Sequence, residues 1–211
     1  MSRATPDWDS LQAAIAGDVI LPGSPSYERV RKPFIARFDE PRPRAVVLCQ
    51  EPDDAAETIS LARRYGLNTA TRCGGHSFAG YSSTGGVVID VTPMSSCLFS
   101  NGVATVGAGM RTGDMYERLL DHDITVPAGT CFSVGIAGVT LGGGLGMLGR
   151  RYGLTSDHLL GAQVVLTGIR PEVAQTLVGL GVDFSRITTR ATLQNGLEYA
   201  LRFLNYDVKR K

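Results

Sequence analysis

Two stretches of the chain combine glycine with side chains that can do chemistry. The first is the run RCGGHSFAG, Arg72, Cys73, Gly74, Gly75, His76 and Ser77 through Gly80. Consecutive glycines there can turn several main-chain N–H groups toward one point, a concavity suited to phosphate oxygens. The spacing differs from the dinucleotide fingerprint GxGxxG, which opens a helix after its strand. Taken alone, the loop equally fits a tight turn with a surface histidine. His76 directly follows the turn, where an imidazole can donate a hydrogen bond, act as a base, or bond a cofactor through a ring nitrogen. The second stretch begins at Cys131, between Pro127-Ala-Gly-Thr and Phe-Ser-Val-Gly. A thiol in such a turn reacts as thiolate where nearby dipoles lower its pKa, and is otherwise an inert buried group. The run GVTLGGGLG at 138–146 can admit a flat ligand against its backbone or serve as a close packing contact. His122 and His158 lack comparable surroundings and read as structural.

Strands and helices must hold these loops. The apolar run AVVLC at 45–49 predicts a buried strand. Glu51-Pro52-Asp53-Asp54 is an acidic helix start with proline in an early position, so a helix is expected over 53–65, stopping at Gly66. A strand at 67–71 completes a βαβ unit, and the 72–80 loop leaves its end. Further strands are expected at 87–91 and 104–109, and a helix over 112–122 capped by Thr112. A short strand or turn is expected at 125–128, and a strand at 163–167. The glycine-rich 134–149 segment has room for a short helix. Residues 1–44 carry an amphipathic helix at 8–16 and an irregular run with prolines at 22, 25, 33, 41 and 43. Beyond about residue 166 glycine thins out, and helical patterns at 171–180 and 193–204 flank a strand candidate at 182–188. The organisation expected is therefore 1–44, 45–165 and 166–211.

Composition narrows the function class. Of 211 residues, 43% are hydrophobic and 19% charged, the balance of a folded chain. The formal net charge is +1, so no basic field exists to hold nucleic acid or an anionic membrane. Glycine supplies 26 residues, well above the usual share of about 7%. No apolar run is long enough for a membrane span. Acids in MSRATPDWDS stand where an export signal needs an apolar core, so a cytoplasmic location is expected. The four cysteines fit no zinc spacing, no metal site is expected, and each is by default a reduced, partly buried thiol.

At this point a resemblance can be placed on particular residues. RCGGHSFAGYSSTGGVVIDV, VGAGMRTGDMYERL and VPAGTCFSVGIAGVTLGGGLGMLGRRYGLTSDHLLGA resemble, in order and content, the FAD-binding domain of the vanillyl-alcohol oxidase and berberine-bridge-enzyme type of flavoproteins. The resemblance covers residues 5 to 165 or so and implies a mixed-sheet α/β fold of the PCMH type. It implies an FAD whose pyrophosphate lies on the 72–80 and 138–146 loops. The cofactor residues it marks are Arg72, Cys73, Gly74, Gly75, His76, Ser77, Cys131, Val134, Gly135, Gly138, Gly142, Gly143, Gly144, Gly146 and Val164. In the berberine-bridge branch a histidine of the first loop bonds the flavin 8α-methyl and a cysteine of the second bonds C6. His76 and Cys131 match those positions, so covalent, bicovalent attachment is implied. The activity implied is FAD-dependent oxidation of an alcohol, sugar or amine carbon in a small-molecule substrate. No catalytic base is assigned, and Tyr152 and Asp157 read as structural. Only 45 residues follow Leu166, so the expectation is an incomplete enzyme without its substrate domain.

The stretch LGAQVVLTGIRPEVAQTLVGLGVDFSRITTRATLQNGLEYAL at 160–201 is similar to the end of a STAS domain of stressosome and anti-sigma-antagonist regulators. This implies a βαβα fragment fused to the flavoprotein-like part. The alternative function it implies is a STAS-type regulatory interaction protein with a non-catalytic front half. A STAS-type protein partner or self-association through exposed apolar surface is then expected.

Overall fold

Short local signals build the first layer. A computed structural model of the chain describes residues 5–162, and every element named here lies in the unit Met1–Leu159. Helix α1 (Trp8–Ala14) begins where the Asp7 carboxylate accepts the Ser10 N–H at 3.0 Å. Strand β1 (Asp18–Ile20) and helix α2 (Tyr27–Val30) follow. Both are too short to leave a periodic pattern, and the sequence reading passed over them. Strand β2 (Ala45–Leu48) and helix α3 (Pro52–Arg64) come where expected, with Pro52 opening the helix and Gly66 just beyond its end. Strands β3 (Thr69–Arg72) and β4 (Val87–Asp90) complete the first sheet.

That sheet runs β1-β2-β4-β3, with β1 antiparallel and the rest parallel. The expected βαβ unit is present, β2 and β3 being parallel strands joined through α3, and β4 lies between them. Burial explains the order. Val87, Val88, Ile89 and Asp90 are all buried, whereas β3 alternates exposed and buried residues. A strand covered on both faces belongs at the centre, and an alternating one belongs at an edge. Val47, Val87 and Ile89 pack with Leu11, Ala45, Cys49 and Leu61 to form this core.

A second core stands on β5 (Cys97–Ser100) and β6 (Val103–Val106), an antiparallel pair turning at Asn101-Gly102. The expected 104–109 strand is thus shorter and displaced, and its partner at 97–100 escaped notice. Helix α4 (Thr112–Leu120) packs on it through Met115 and Leu119, joined by Met110, Ala128 and Ile136. Arg111, not Thr112, is the capping residue of α4. Residues 125–128 form neither strand nor turn. The glycine-rich segment contains helix α5 (Ile136–Leu141) and one turn, α6 (Gly149–Tyr152). The strand expected at 163–167, the helices at 171–180 and 193–204, and the rest of the STAS-like stretch lie outside the described residues.

Candidate functional site

The first loop is fixed by a buried ion pair at the end of β3. Arg72 donates through Nε to Asp90 Oδ2 at 3.0 Å, and its terminal nitrogens reach the carbonyls of Arg31 and Val30. Both charged groups are buried. The Arg72 side chain is therefore committed to the protein, and its carbonyl is taken by the Val91 N–H. Thr92 Oγ1 donates to Asp90 Oδ1 at 2.6 Å and lies 3.2 Å from the Cys73 carbonyl. Cys73 turns its thiol onto the Gly109 carbonyl at 3.1 Å. Burial, then the Asp90 charge, pushes that thiol's pKa up, so it is a structural group.

The second loop hangs on the start of α4. Thr112 N–H donates to the Val134 carbonyl, Thr112 Oγ1 to the Cys131 carbonyl, and Gly113 N–H to the Phe132 carbonyl. Ile136 N–H returns to the Met110 carbonyl at 2.8 Å. Residues 131–134 are thus laid along the helix start by three hydrogen bonds, with Ile136 closing the run, and Cys131 is exposed. Exposure departs from the partly buried thiol expected by default.

The two loops meet backbone to backbone. A Cβ on Gly74 would lie 2.1 Å from the Ser133 carbonyl oxygen, and one on Gly135 would lie 2.6 Å from the Cys73 side chain. These two glycines are needed for that close approach. Above the contact, His76 Nε2 is 2.9 Å from Ser133 Oγ, and Cys131 Sγ is 3.5 Å from the same oxygen. The His76 ring stacks on Phe34 at a centroid distance of 3.8 Å. Phe34 N–H in turn bonds the Gly75 carbonyl. Burial, then the positive charge of Arg111, lowers the His76 pKa from its ordinary value.

Whether this arrangement suits a diphosphate ligand can be judged from its donors. Gly75 has φ 73°, a left-handed conformation that a side chain resists. Among the described residues, the N–H groups of Gly75, His76 and Ser77 reach no protein acceptor. The same holds for Gly144, Leu145, Gly146 and Met147. Unpaired successive donors are what phosphate oxygens require. Gly144, at φ 80°, is clamped by Thr155, whose Oγ1 bonds the Gly144 and Pro127 carbonyls. Ser156 N–H holds the Gly143 carbonyl, and Gly142 ends α5. Gly146 packs on the Ala128 carbonyl, while a Cβ on Gly138 would meet open space. Ser77 Oγ accepts the Tyr81 N–H at 3.1 Å. Val164 lies outside the described residues.

Around these loops Phe78, Tyr81, Leu141, Leu145 and Met147 are each at least 78% exposed. Asp157 caps the turn at Leu154, and the Tyr152 carbonyl contacts His158, so both keep local roles. His122 packs on Phe99. Cys49 is buried far up the thiol scale, at about 12, and is inert. The sequence reading missed Phe34, Asp90, Thr112, Ser133 and Thr155. A serine two residues after the marked cysteine was the available sign for Ser133.

Residues 43–168 match the family described as FAD binding domain. The (R)-6-hydroxynicotine oxidase of Paenarthrobacter nicotinovorans is 31% identical over 187 residues, covering 83% of this chain and 41% of that protein. The aclacinomycin-N/aclacinomycin-A oxidase of Streptomyces galilaeus is 37% identical over 142 residues, covering 65% of this chain and 26% of that one. A glucooligosaccharide oxidase structure from Acremonium strictum, described by its 6-S-cysteinyl, 8α-N1-histidyl FAD, superposes with a TM-score of 0.65 at 28% identity. It matches 74% of this chain and 34% of its own length. The chain spans less than half the length of each of these relatives. Among the described residues no helix is long and apolar enough to cross a membrane.

Proposed function

The chain belongs to the FAD binding domain family, and from that premise we propose that it serves FAD-linked oxidation with His76 and Cys131 as covalent anchors of the flavin. The observation that carries this reading is the meeting of one imidazole and one thiol at Ser133 Oγ. The Acremonium strictum oxidase is described as holding FAD through one cysteinyl and one histidyl link, and the same pair of residue types converges here. The unpaired N–H groups at 75–77 and 144–147 are the groups that would hold the pyrophosphate. FAD, if bound, would supply the redox chemistry for oxidation of an alcohol, sugar or amine carbon.

The chain's own residues bind and orient. Arg72 and Asp90 hold the first loop, while Thr112 and Gly113 hold the second. Phe34 fixes the plane of the His76 ring. Gly74 and Gly135 keep the second loop against the first, Val134 ties it to helix α4, and Thr155 sets the turn at Gly144. An uncharged His76 ring keeps one nitrogen lone pair available, as attachment requires. The test is the absorption spectrum of the purified chain after incubation with FAD. Flavin bands that stay with the protein through acid precipitation are expected. His76→Ala and Cys131→Ala should each leave one link, and the double variant should release all colour. A folded chain that stays colourless in excess FAD would overturn the reading.

A further inference from the structure

We infer that Ser133 is a positioning residue that sets the direction of a proton chain from His76 to Cys131: Nε2–H donates to Oγ, and the hydroxyl proton goes to Sγ. The contacts fix the order of the three groups, and the chemistry of each fixes the direction. An uncharged imidazole carries a single N–H, on one nitrogen or the other. Its Nε2 lies 2.9 Å from Ser133 Oγ, the usual N–H···O distance. If the hydroxyl instead donated to Nε2, its oxygen would have to take a proton from the thiol. A thiol is a weak donor. In the direction inferred, the stronger donors, N–H and O–H, are both used, and sulfur at 3.5 Å accepts.

One hydroxyl then does two things. It places the ring proton on Nε2, which leaves the Nδ1 lone pair free. It also brings a hydrogen-bond donor to the Cys131 sulfur. Stacking on Phe34 holds the plane of the ring, with Nε2 toward Ser133. The packing of Gly74 against the Ser133 carbonyl keeps the serine in place. The value of a free Nδ1 rests on the attachment proposed above, but the proton chain itself is a property of the chain without cofactor.

The test is nitrogen NMR of the full chain, labelled at histidine and free of FAD. The expected result is a protonated, slowly exchanging Nε2 and an unprotonated Nδ1 at His76. In Ser133→Ala the Nε2 proton should exchange roughly tenfold faster, the factor carried by a hydrogen bond of ordinary net strength. Ser133→Thr keeps the hydroxyl and should restore slow exchange, which separates loss of the bond from misfolding. On loading with FAD, the yield of doubly attached chain should fall in Ser133→Ala and recover in Ser133→Thr. A proton on Nδ1 in the parent chain, or Nε2 exchange unchanged in Ser133→Ala, would overturn the inference. Failure of the parent chain to take up FAD would instead sink the proposed function, since the NMR result does not depend on it.

Discussion

His76 and Cys131, held by different loops, both contact the hydroxyl of Ser133, at 2.9 Å from the ring nitrogen and 3.5 Å from the sulfur. The two side chains are thus separated by no more than one oxygen atom's reach. Each loop has its own anchor: the buried Arg72–Asp90 pair for the first, and the start of helix α4 for the second. The convergence is a product of the scaffold and not of the loops alone.

The first anchor should be costly to break. Asp90→Asn leaves the Arg72 guanidinium buried without its counter-charge, since Asp90 accepts at 3.0 Å and the remaining partners are carbonyls. Removing one member of a buried pair destabilises by about 3–5 kcal/mol. Urea unfolding of the variant should register a loss of that order, and a loss below about 1 kcal/mol would mean that the pair is not what holds the loop.

Two glycine substitutions should go opposite ways. Gly74→Ala drives a methyl group to 2.1 Å from the Ser133 carbonyl oxygen, so the loops must part. A cost of about 1–3 kcal/mol is expected, with loss of the His76–Ser133 contact. Gly138→Ala meets open space within helix α5 and should stabilise the chain by about 0.5–1 kcal/mol through helix propensity. Denaturation midpoints of the two variants on either side of the parent would bear this out. Equal midpoints would contradict it.

Much of the scaffold was legible because its signals are local. The apolar run at 45–48, the proline-opened helix ending before Gly66, and the buried Val87–Asp90 strand all carry their pattern within a few residues. Strand order was not legible, because the placement of β4 between β2 and β3 depends on which strand is covered on both faces. Likewise β1 and α2 are too short to show a period. At the site, His76 and Cys131 could be marked by resemblance. Ser133, Phe34 and Asp90 could not be, because their roles come from contacts with residues far along the chain. Glycine gave a mixed signal: Gly74 and Gly135 serve loop-to-loop packing, whereas Gly75 turns free donors outward.

Acidification should weaken the chain through His76. Burial first, and the Arg111 charge second, hold its pKa below 6.5 in the folded chain. As pH falls, the unfolded chain therefore takes up this proton before the folded one. The contribution is complete above about pH 6.5 and is lost as pH falls through the lower folded value. His76→Gln lacks this proton. The Tm of the parent should thus drop more than that of His76→Gln between about pH 7 and pH 5. Parallel curves would show that the ring titrates alike folded and unfolded.

The most direct measurement is the intact mass of the chain under denaturing conditions after incubation with FAD. The account predicts a chain heavier by one FAD, with the added mass kept in His76→Ala and in Cys131→Ala and lost when both are changed. A parent chain at its bare polypeptide mass, although folded and supplied with FAD, would contradict the assignment of these two side chains as the flavin's anchors.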